Sequence, residues 1–328
     1  MNQSQVNKAQ INKANDLVLA ADLGGTHLRV ALIDKTGRIH SQTKQNTPIG
    51  SSPMCVVESI VQAAEQCGPE LNERVIAAAV MVPGTVDRDN AVVITAPNLP
   101  SLNNFELKSV LQQKFGRPAV LENDANAAAV GEMWLGAARG CRDVVCITLG
   151  TGVGGGVILD GKLWRGSLGS AGELGHATVE PFGTLKCKCG NTGCLEMFAS
   201  ATAIVRMAKE GTQKFPDSAL AGDELTAADV YDAARQGDPL ALEIFQTVGT
   251  YLGVGFVNLV NILNPEIIVV AGGVAAGWDL FQEFIHREVT QRAFGSQQAN
   301  VKIVPAQCGD NAGLLGATKL AFDGLRSN

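Results

Sequence analysis

Two stretches built the same way constrain this chain more than anything else in it. An apolar run from Leu17 to Ala21 passes through Asp22-Leu23-Gly24-Gly25-Thr26 and resumes from Leu28 to Ile33. A second run, Val144 to Leu149, meets Gly150, Gly152, Gly154, Gly155 and Gly156 and continues to residue 159. Short apolar strands around a glycine turn read as β-hairpins. Alternating strand-like and helix-like segments follow each hairpin. No residue-level repeat extends further, so the echo is one of topology. It predicts two α/β lobes facing each other across a cleft, each contributing one Gly-rich hairpin.

The segments between are legible by pattern. Strands are expected at Ile39–Gln45, Val75–Val82 (broken by Pro83-Gly84), Ala91–Thr95, Ala119–Leu121, Ile267–Ala271 and Val301–Val304. Helices are expected at Pro53–Cys67, Phe105–Phe115, the Ala-rich Ala125–Ala137, Ala199–Glu210, Ala227–Gln236, Pro239–Leu263, Leu280–Ala293 and Ala312–Phe322. Residues 1–16 read as a flexible tail, and the acidic stretch Gly211 to Leu225 as an exposed loop.

Composition removes several function classes. A chain of 328 residues with 46% hydrophobic and 18% charged residues can bury one oversized core or two ordinary ones. A net charge of −6 argues against nucleic acid as a partner, because phosphate neutralisation needs clustered Lys and Arg. No apolar run reaches the roughly 18 residues of a membrane helix. The polar N-terminal residues lack the apolar middle of a signal peptide. Eight unevenly spaced cysteines suit reduced thiols plus one metal cluster better than a disulfide framework. A cytoplasmic location is expected.

Chemistry concentrates between residues 148 and 196. Glycines at the end of a buried strand let backbone N–H groups approach an anion closely. Behind them, His176, Cys187, Cys189 and Cys194 can close a four-coordinate zinc site. Four protein ligands leave no open position, which makes that site structural. Glu173 and Glu196 flank the cluster. No Gly-x-x-x-x-Gly-Lys-Ser/Thr loop exists, so a P-loop is excluded. Asp124 reads equally well as the N-cap of a helix beginning at Ala125 and as a functional carboxylate facing the cleft.

Taken in order, Asp22-Leu23-Gly24-Gly25-Thr26, Glu122-Asn123-Asp124-Ala125-Asn126-Ala127, Gly150-Thr151-Gly152-Val153-Gly154-Gly155-Gly156, Gly172-Glu173-Leu174-Gly175-His176 and Cys187-x-Cys189-Gly190-x-x-Gly193-Cys194-Leu195-Glu196 carry a family resemblance. Over about residues 17–325 the chain resembles the ROK family (repressors, open reading frames and sugar kinases), and within it the bacterial glucokinase type. The Cys-x-Cys-Gly-x-x-Gly-Cys-x-Glu motif after Gly-His is the most specific part.

The resemblance implies an α/β actin-like ATPase fold with two ribonuclease-H-like lobes. The small N-terminal lobe would span 17–121, with a helix near 310–325 placed back on it. The larger lobe, 122–309, would carry the zinc loop. It implies ATP and Mg²⁺ as cofactors beside structural Zn²⁺, and a hexose, most simply glucose, as the acceptor that becomes the 6-phosphate.

By the same resemblance Asp124 is the general base, and Gly84, Asn98, Asn123, Glu173, His176 and Glu196 join it in holding the sugar. Gly24, Gly25, Thr26, Gly150, Thr151 and Gly152 would cradle the phosphates, Asp22 would hold Mg²⁺ through water, and Gly272 and Gly273 would face the adenosine. His27 stands where relatives often have Lys. Homodimers are common in the family, and no membrane or nucleic-acid partner is implied.

Two other readings compete. N-acetylhexosamine and fructose kinases share these motifs. Sugar-responsive repressors of the family carry a winged-helix region before the first hairpin; here only 21 residues precede Asp22, fewer than such a domain needs. An actin-like filament protein would leave the carboxylates and the metal cluster without a task.

Overall fold

The computed structural model describes residues 16–48, 50, 52–68, 73–87, 92–222, 224–295 and 300–327. The expected tail therefore lies, apart from Asp16, outside the described residues. The chain divides into two compact units, one made of residues 1–140, 163–171 and 310–328, the other of 141–162 and 172–309.

The first unit runs β1 (Leu17–Leu23), β2 (His27–Asp34), β3 (Ile39–Asn46), α1 (Pro53–Gln66), β4 (Val75–Val82), β5 (Thr85–Asp87), β6 (Val92–Thr95), α2 (Leu107–Phe115), β7 (Ala119–Asn123) and α3 (Asp124–Leu135). Its sheet order is β3-β2-β1-β4-β7. β1 and β2 pair antiparallel around the glycine turn, while β4 and β7 add in parallel. β1 and β4 are buried almost throughout, as near-continuous apolar runs must be when both faces are covered.

The second unit repeats the arrangement. β8 (Val144–Leu149) and β9 (Val153–Leu159) form the hairpin, and β10 (Lys162–Trp164) pairs at the edge. After the metal loop come α4 (Glu196–Ala199), α5 (Ala201–Gly211), α6 (Ala227–Arg235), α7 (Pro239–Leu263), β11 (Ile267–Ala271), α8 (Trp278–Arg292) and β12 (Lys302–Pro305). The order β10-β9-β8-β11-β12 is the same three antiparallel strands followed by two parallel ones. The echo between the glycine hairpins is thus an echo of whole sheets.

α9 (Ala312–Ser327) closes the first unit by packing on α3, β1 and β4. A Cβ on Gly131 would lie 2.0 Å from the Ala312 carbonyl, and one on Gly316 would lie 1.7 Å from the Ala127 carbonyl. Only glycine lets the two backbones approach so closely. This contact carries α3 into the first unit, although the expected lobe boundary at 121/122 places it in the second.

Among the described residues, four helices begin at a side-chain cap, on Asn123, Ser200, Thr226 and Asp238. Ser200 accepts from the Ala203 amide at 3.1 Å and splits the single helix expected over 199–210 into α4 and α5. Asp238, with Pro239 in the first turn, caps α7, and Asn264 ends it in the left-handed region at φ 46°. α7 corrects one expectation. By length and composition it is apolar enough to cross a membrane. No uninterrupted apolar run was expected to reach that length; here interspersed residues such as Thr250 and Asn258 do not offset the rest. The reason is local: α4, α5, α6 and α8 all pack on it, so its buried residues include Ile244, Phe245, Val248, Leu252 and Phe256.

Candidate active site

In the first unit the expected site residues follow the carboxyl ends of three neighbouring parallel strands, β1, β4 and β7. Open α/β sheets place ligands at such ends. The β1–β2 turn is pinned by Gly24 N–H to the His27 carbonyl at 2.9 Å and by the Thr47 hydroxyl to the Gly24 carbonyl at 2.7 Å. A Cβ on Gly25 would sit 3.1 Å from the Asn98 Cβ, so the turn and the expected sugar residue Asn98 are packed together. Thr26 and Asn98 are exposed.

Asp22, expected to reach Mg²⁺ through water, is engaged by Arg29, its cross-strand partner. Arg29 Nε donates to Asp22 Oδ2 at 3.1 Å and its Nη2 lies on the same oxygen. Any cation at Asp22 must compete with that guanidinium.

The structure bears on one of the two readings of Asp124, the helix cap. The N-cap of α3 is Asn123, whose Oδ1 accepts from the Asn126 amide at 3.0 Å. The Asn123 Nδ2 donates to the Gly84 carbonyl at 3.0 Å. Gly84 adopts φ 139°, and a Cβ there would fall 2.0 Å from the Thr95 carbonyl. The helix begins at Asp124, one residue earlier than expected, and capping does not depend on it. Asp124 is exposed, with Oδ1 2.9 Å from the Ala125 amide, at the positive end of the helix where a carboxylate is favoured.

In the second unit β8 and β11 are adjacent and parallel, with Thr148 opposite Ala271. Their glycine turns therefore open at the same end of the sheet, the carboxyl end of both strands. Gly272 has φ 89°, and a Cβ there would lie 2.4 Å from the Leu149 carbonyl; Gly273 is open within 4 Å. The Gly150–Gly152 turn closes through Gly150 N–H to the Gly152 carbonyl at 2.9 Å. The start of α5 is fastened to it by Ala201 N–H to the Gly150 carbonyl at 2.8 Å and the Thr202 hydroxyl to the Thr151 carbonyl at 2.8 Å. Glu196 abuts the same turn: a Cβ on Gly152 would meet its Oε2 at 2.3 Å.

The ligand atoms of His176, Cys187, Cys189 and Cys194 all lie within 4.8 Å of one another. Cys189 Sγ is 3.7 Å from Cys194 Sγ, and His176 Nδ1 is 3.6 Å from Cys187 Sγ. A tetrahedral zinc with Zn–S of about 2.3 Å and Zn–N of about 2.0–2.1 Å separates sulfur pairs by about 3.8 Å and sulfur–nitrogen pairs by about 3.6 Å. The donor set fits. Burial, then the neighbouring thiols, pushes Cys194 up to about 12, and burial also raises Cys187. A backbone amide at Asn191 leads the effects that lower Cys189. All eight cysteines are free thiols.

The histidine faces two ways. With Nδ1 in the cluster, its Nε2 lies 4.0 Å from Glu173 Oε2, joining the metal ligands to one of the expected sugar carboxylates. The loop itself is held at Gly193, where a Cβ would lie 1.8 Å from the Glu180 carbonyl, and by Phe198 stacked on Tyr251 at 3.9 Å.

Sequence reasoning assigned no role to Glu122, Arg165 or Arg29. Glu122 is a buried carboxylate paired with Arg165. Its sequence signal was a charge inside an otherwise apolar strand.

Residues 18–323 match the ROK family. The chain is 36% identical over 308 residues to a glucokinase of Thermotoga maritima, covering 92% of this chain and 96% of that protein. It is 32% identical to a xylose repressor of Caldicellulosiruptor bescii, covering 97% of this chain and 81% of the repressor. Among solved structures, a ROK family glucokinase from Streptomyces griseus, in complex with glucose and AMPPNP, superposes with a TM-score of 0.79 at 37% identity and covers 93% of this chain and 98% of that one.

Proposed function

The chain belongs to the ROK family, with the actin-like ATPase fold of its kinases, and we propose that it transfers the γ-phosphoryl group of MgATP to the 6-hydroxyl of glucose. That it is an ATP-dependent sugar kinase rests on near full-length similarity to glucokinases. The observation that carries glucose and ATP together is the relative holding glucose and AMPPNP, similar over 93% of this chain.

In this reading Asp124 accepts the proton of the 6-hydroxyl as its oxygen bonds to the γ-phosphorus and ADP departs with the bridging oxygen. Phosphoryl transfer needs positioning and charge stabilisation more than covalent help. The Gly24–Thr26 and Gly150–Gly152 turns offer backbone N–H groups to the phosphates, and the open Gly272-Gly273 turn takes the adenosine side. Asn98, Asn123, Gly84, Glu173, His176 and Glu196 bind the sugar hydroxyls as directional acceptors and donors. Asp22 would hold Mg²⁺ through water once Arg29 gives way, and the ion would supply positive charge against the phosphates.

Zinc held by His176, Cys187, Cys189 and Cys194 would supply structure alone, since the four ligands fill its coordination. The residues nearby do the binding. The test is ADP release with MgATP across a panel of hexoses and N-acetylhexosamines. Glucose should give the highest kcat/KM; an N-acetylated sugar preferred tenfold, about 1.4 kcal/mol, would move the chain to another branch.

The similarity to xylose repressors favours one second reading, a sugar-responsive regulator. Absence of ADP release with every sugar, together with sugar-dependent DNA binding, would select it.

A further inference from the structure

The first unit holds a buried ion pair that the proposed chemistry does not use. The Glu122 side chain is 5% exposed and that of Arg165 14%. Arg165 Nε donates to Glu122 Oε2 at 2.7 Å, and its Nη2 lies 2.7 Å from the same oxygen. The other oxygen, Oε1, turns toward α3. It accepts from the Asn123 amide at 3.1 Å and from Asn126 Nδ2 at 3.0 Å. One carboxylate therefore faces a cation on one side and the opening turn of a helix on the other.

Asn123 and Asn126 are the two ends of the α3 cap, and Asp124 stands between them. We infer that Glu122 and Arg165 are positioning residues for Asp124: the arginine fork holds one oxygen of the buried carboxylate in place, and its other oxygen fixes the first turn of α3. The inference rests on the reading of Asp124 as the base.

The physics is that of a buried charge with and without its partner. Replacing Arg165 by an apolar side chain leaves Glu122 an uncompensated interior charge. Without the arginine fork the carboxylate turns toward solvent, and its Oε1 leaves the place where the Asn123 amide and the Asn126 amide group both require an acceptor. That unfastens the cap, and a catalytic group needs to move only about 1 Å to lose much of its effect.

Arg165 is delivered by a fixed strap. The Ala171 amide donates to the Arg165 carbonyl at 3.1 Å, and Gly166 and Gly169 take φ of 68° and 83°. Asn126, 2% exposed, leaves its Oδ1 without a partner while its Nδ2 serves Glu122. That side chain is oriented by the carboxylate, and little else.

The experiment uses the full chain and five variants, Arg165→Met, Glu122→Gln, their double, Arg165→Lys and Arg165→Ala. Readouts are kcat, KM for glucose and ATP, AMPPNP affinity and melting temperature. We expect each of the first two to lower kcat by about tenfold or more, with AMPPNP affinity changed by less than about twofold, since the glycine turns of β8 and β11 are untouched. The double should be no worse than the weaker single, the mark of two residues acting as one unit. Arg165→Lys keeps the charge without the fork and should fall between.

Added guanidinium at non-denaturing concentration should restore part of the kcat of Arg165→Ala, a response that lost stability alone would not give. Variants that melt earlier but keep kcat within about twofold per folded molecule, far short of that expected loss, would reduce the pair to a structural one and overturn the inference. Arg165→Lys keeps that comparison available should Arg165→Met not fold. If Asp124→Asn itself retains wild-type kcat, the base reading fails and takes this inference with it. An inactive Asp124→Asn beside a fully active Arg165→Met overturns the inference alone.

Discussion

Glu196 Oε2 accepts the Val153 amide at 2.9 Å, so the carboxylate that ends the metal loop also fastens the glycine hairpin of the second unit. Its other oxygen lies 3.9 Å from Cys187 Sγ. A side chain expected to touch sugar thus sits between the cysteine cluster and the Gly150–Gly152 turn.

The first prediction follows from that contact. Gly152→Ala would place a methyl 2.3 Å from Glu196 Oε2 and displace it. Both sugar and nucleotide affinity should fall, because one displaced group serves both. Glu196→Gln keeps an acceptor for the Val153 amide and should weaken glucose more than AMPPNP. Isothermal titration with each ligand alone separates the two; a Gly152→Ala variant binding both normally would contradict the coupling.

The metal should be present at one zinc per chain and be lost as pH falls, because protons compete for thiolate and imidazole ligands. Cys189→Ser should lower glucose affinity as well as zinc content, since His176 reaches Glu173 and Cys187 reaches Glu196. Elemental analysis of freshly purified, active protein without zinc would rule the site out.

Asp124→Asn should lower kcat by about 10²–10⁴, the usual loss on removing a general base. Glucose should still bind. Thermal stability should hardly change, since Asn123 is the cap. Retention of more than about a tenth of wild-type kcat would send the search for the base elsewhere.

Asp34 supplies a pH test remote from the chemistry. Partial burial works to raise its pKa, but hydrogen bonds from Thr36 and His40, and from the Thr36 and Arg38 amides, outweigh it and hold the carboxyl at about 2 against an ordinary 3.8. The folded value is the lower one. Its stabilisation is therefore complete above the unfolded pKa and lost as pH drops through the interval down to about 2. With solvent screening at this turn, Asp34→Asn should cost about 1–2 kcal/mol at neutral pH. Urea unfolding of variant and wild type should converge near pH 2, the folded value; a constant gap would refute the assignment.

The legible parts of the chain were those in which a local rule acts alone. Glycine turns announce themselves because backbone crowding forbids side chains there, as at Gly84 and Gly272. The His/Cys cluster able to hold a metal is legible from spacing, since three of its four residues fall within eight positions. The Asp22–Arg29 pair was within reach, because the hairpin register places them opposite. Glu122 and Arg165 are 43 residues apart, and no local pattern joins them. The strand β10 was missed because three residues are too few to show a periodicity.

The interrupted first unit has a consequence during synthesis. Its sheet is complete by residue 123, yet the main partner of α3 is α9, which contributes the buried Leu314, Ala317 and Ala321. The ribosome must deliver the whole second unit before residues 312–327 emerge. Domains ordinarily fold in the order they are made. Here the part made first finishes last, and until then the small-residue face of α3 stands open to whatever else the cell presents.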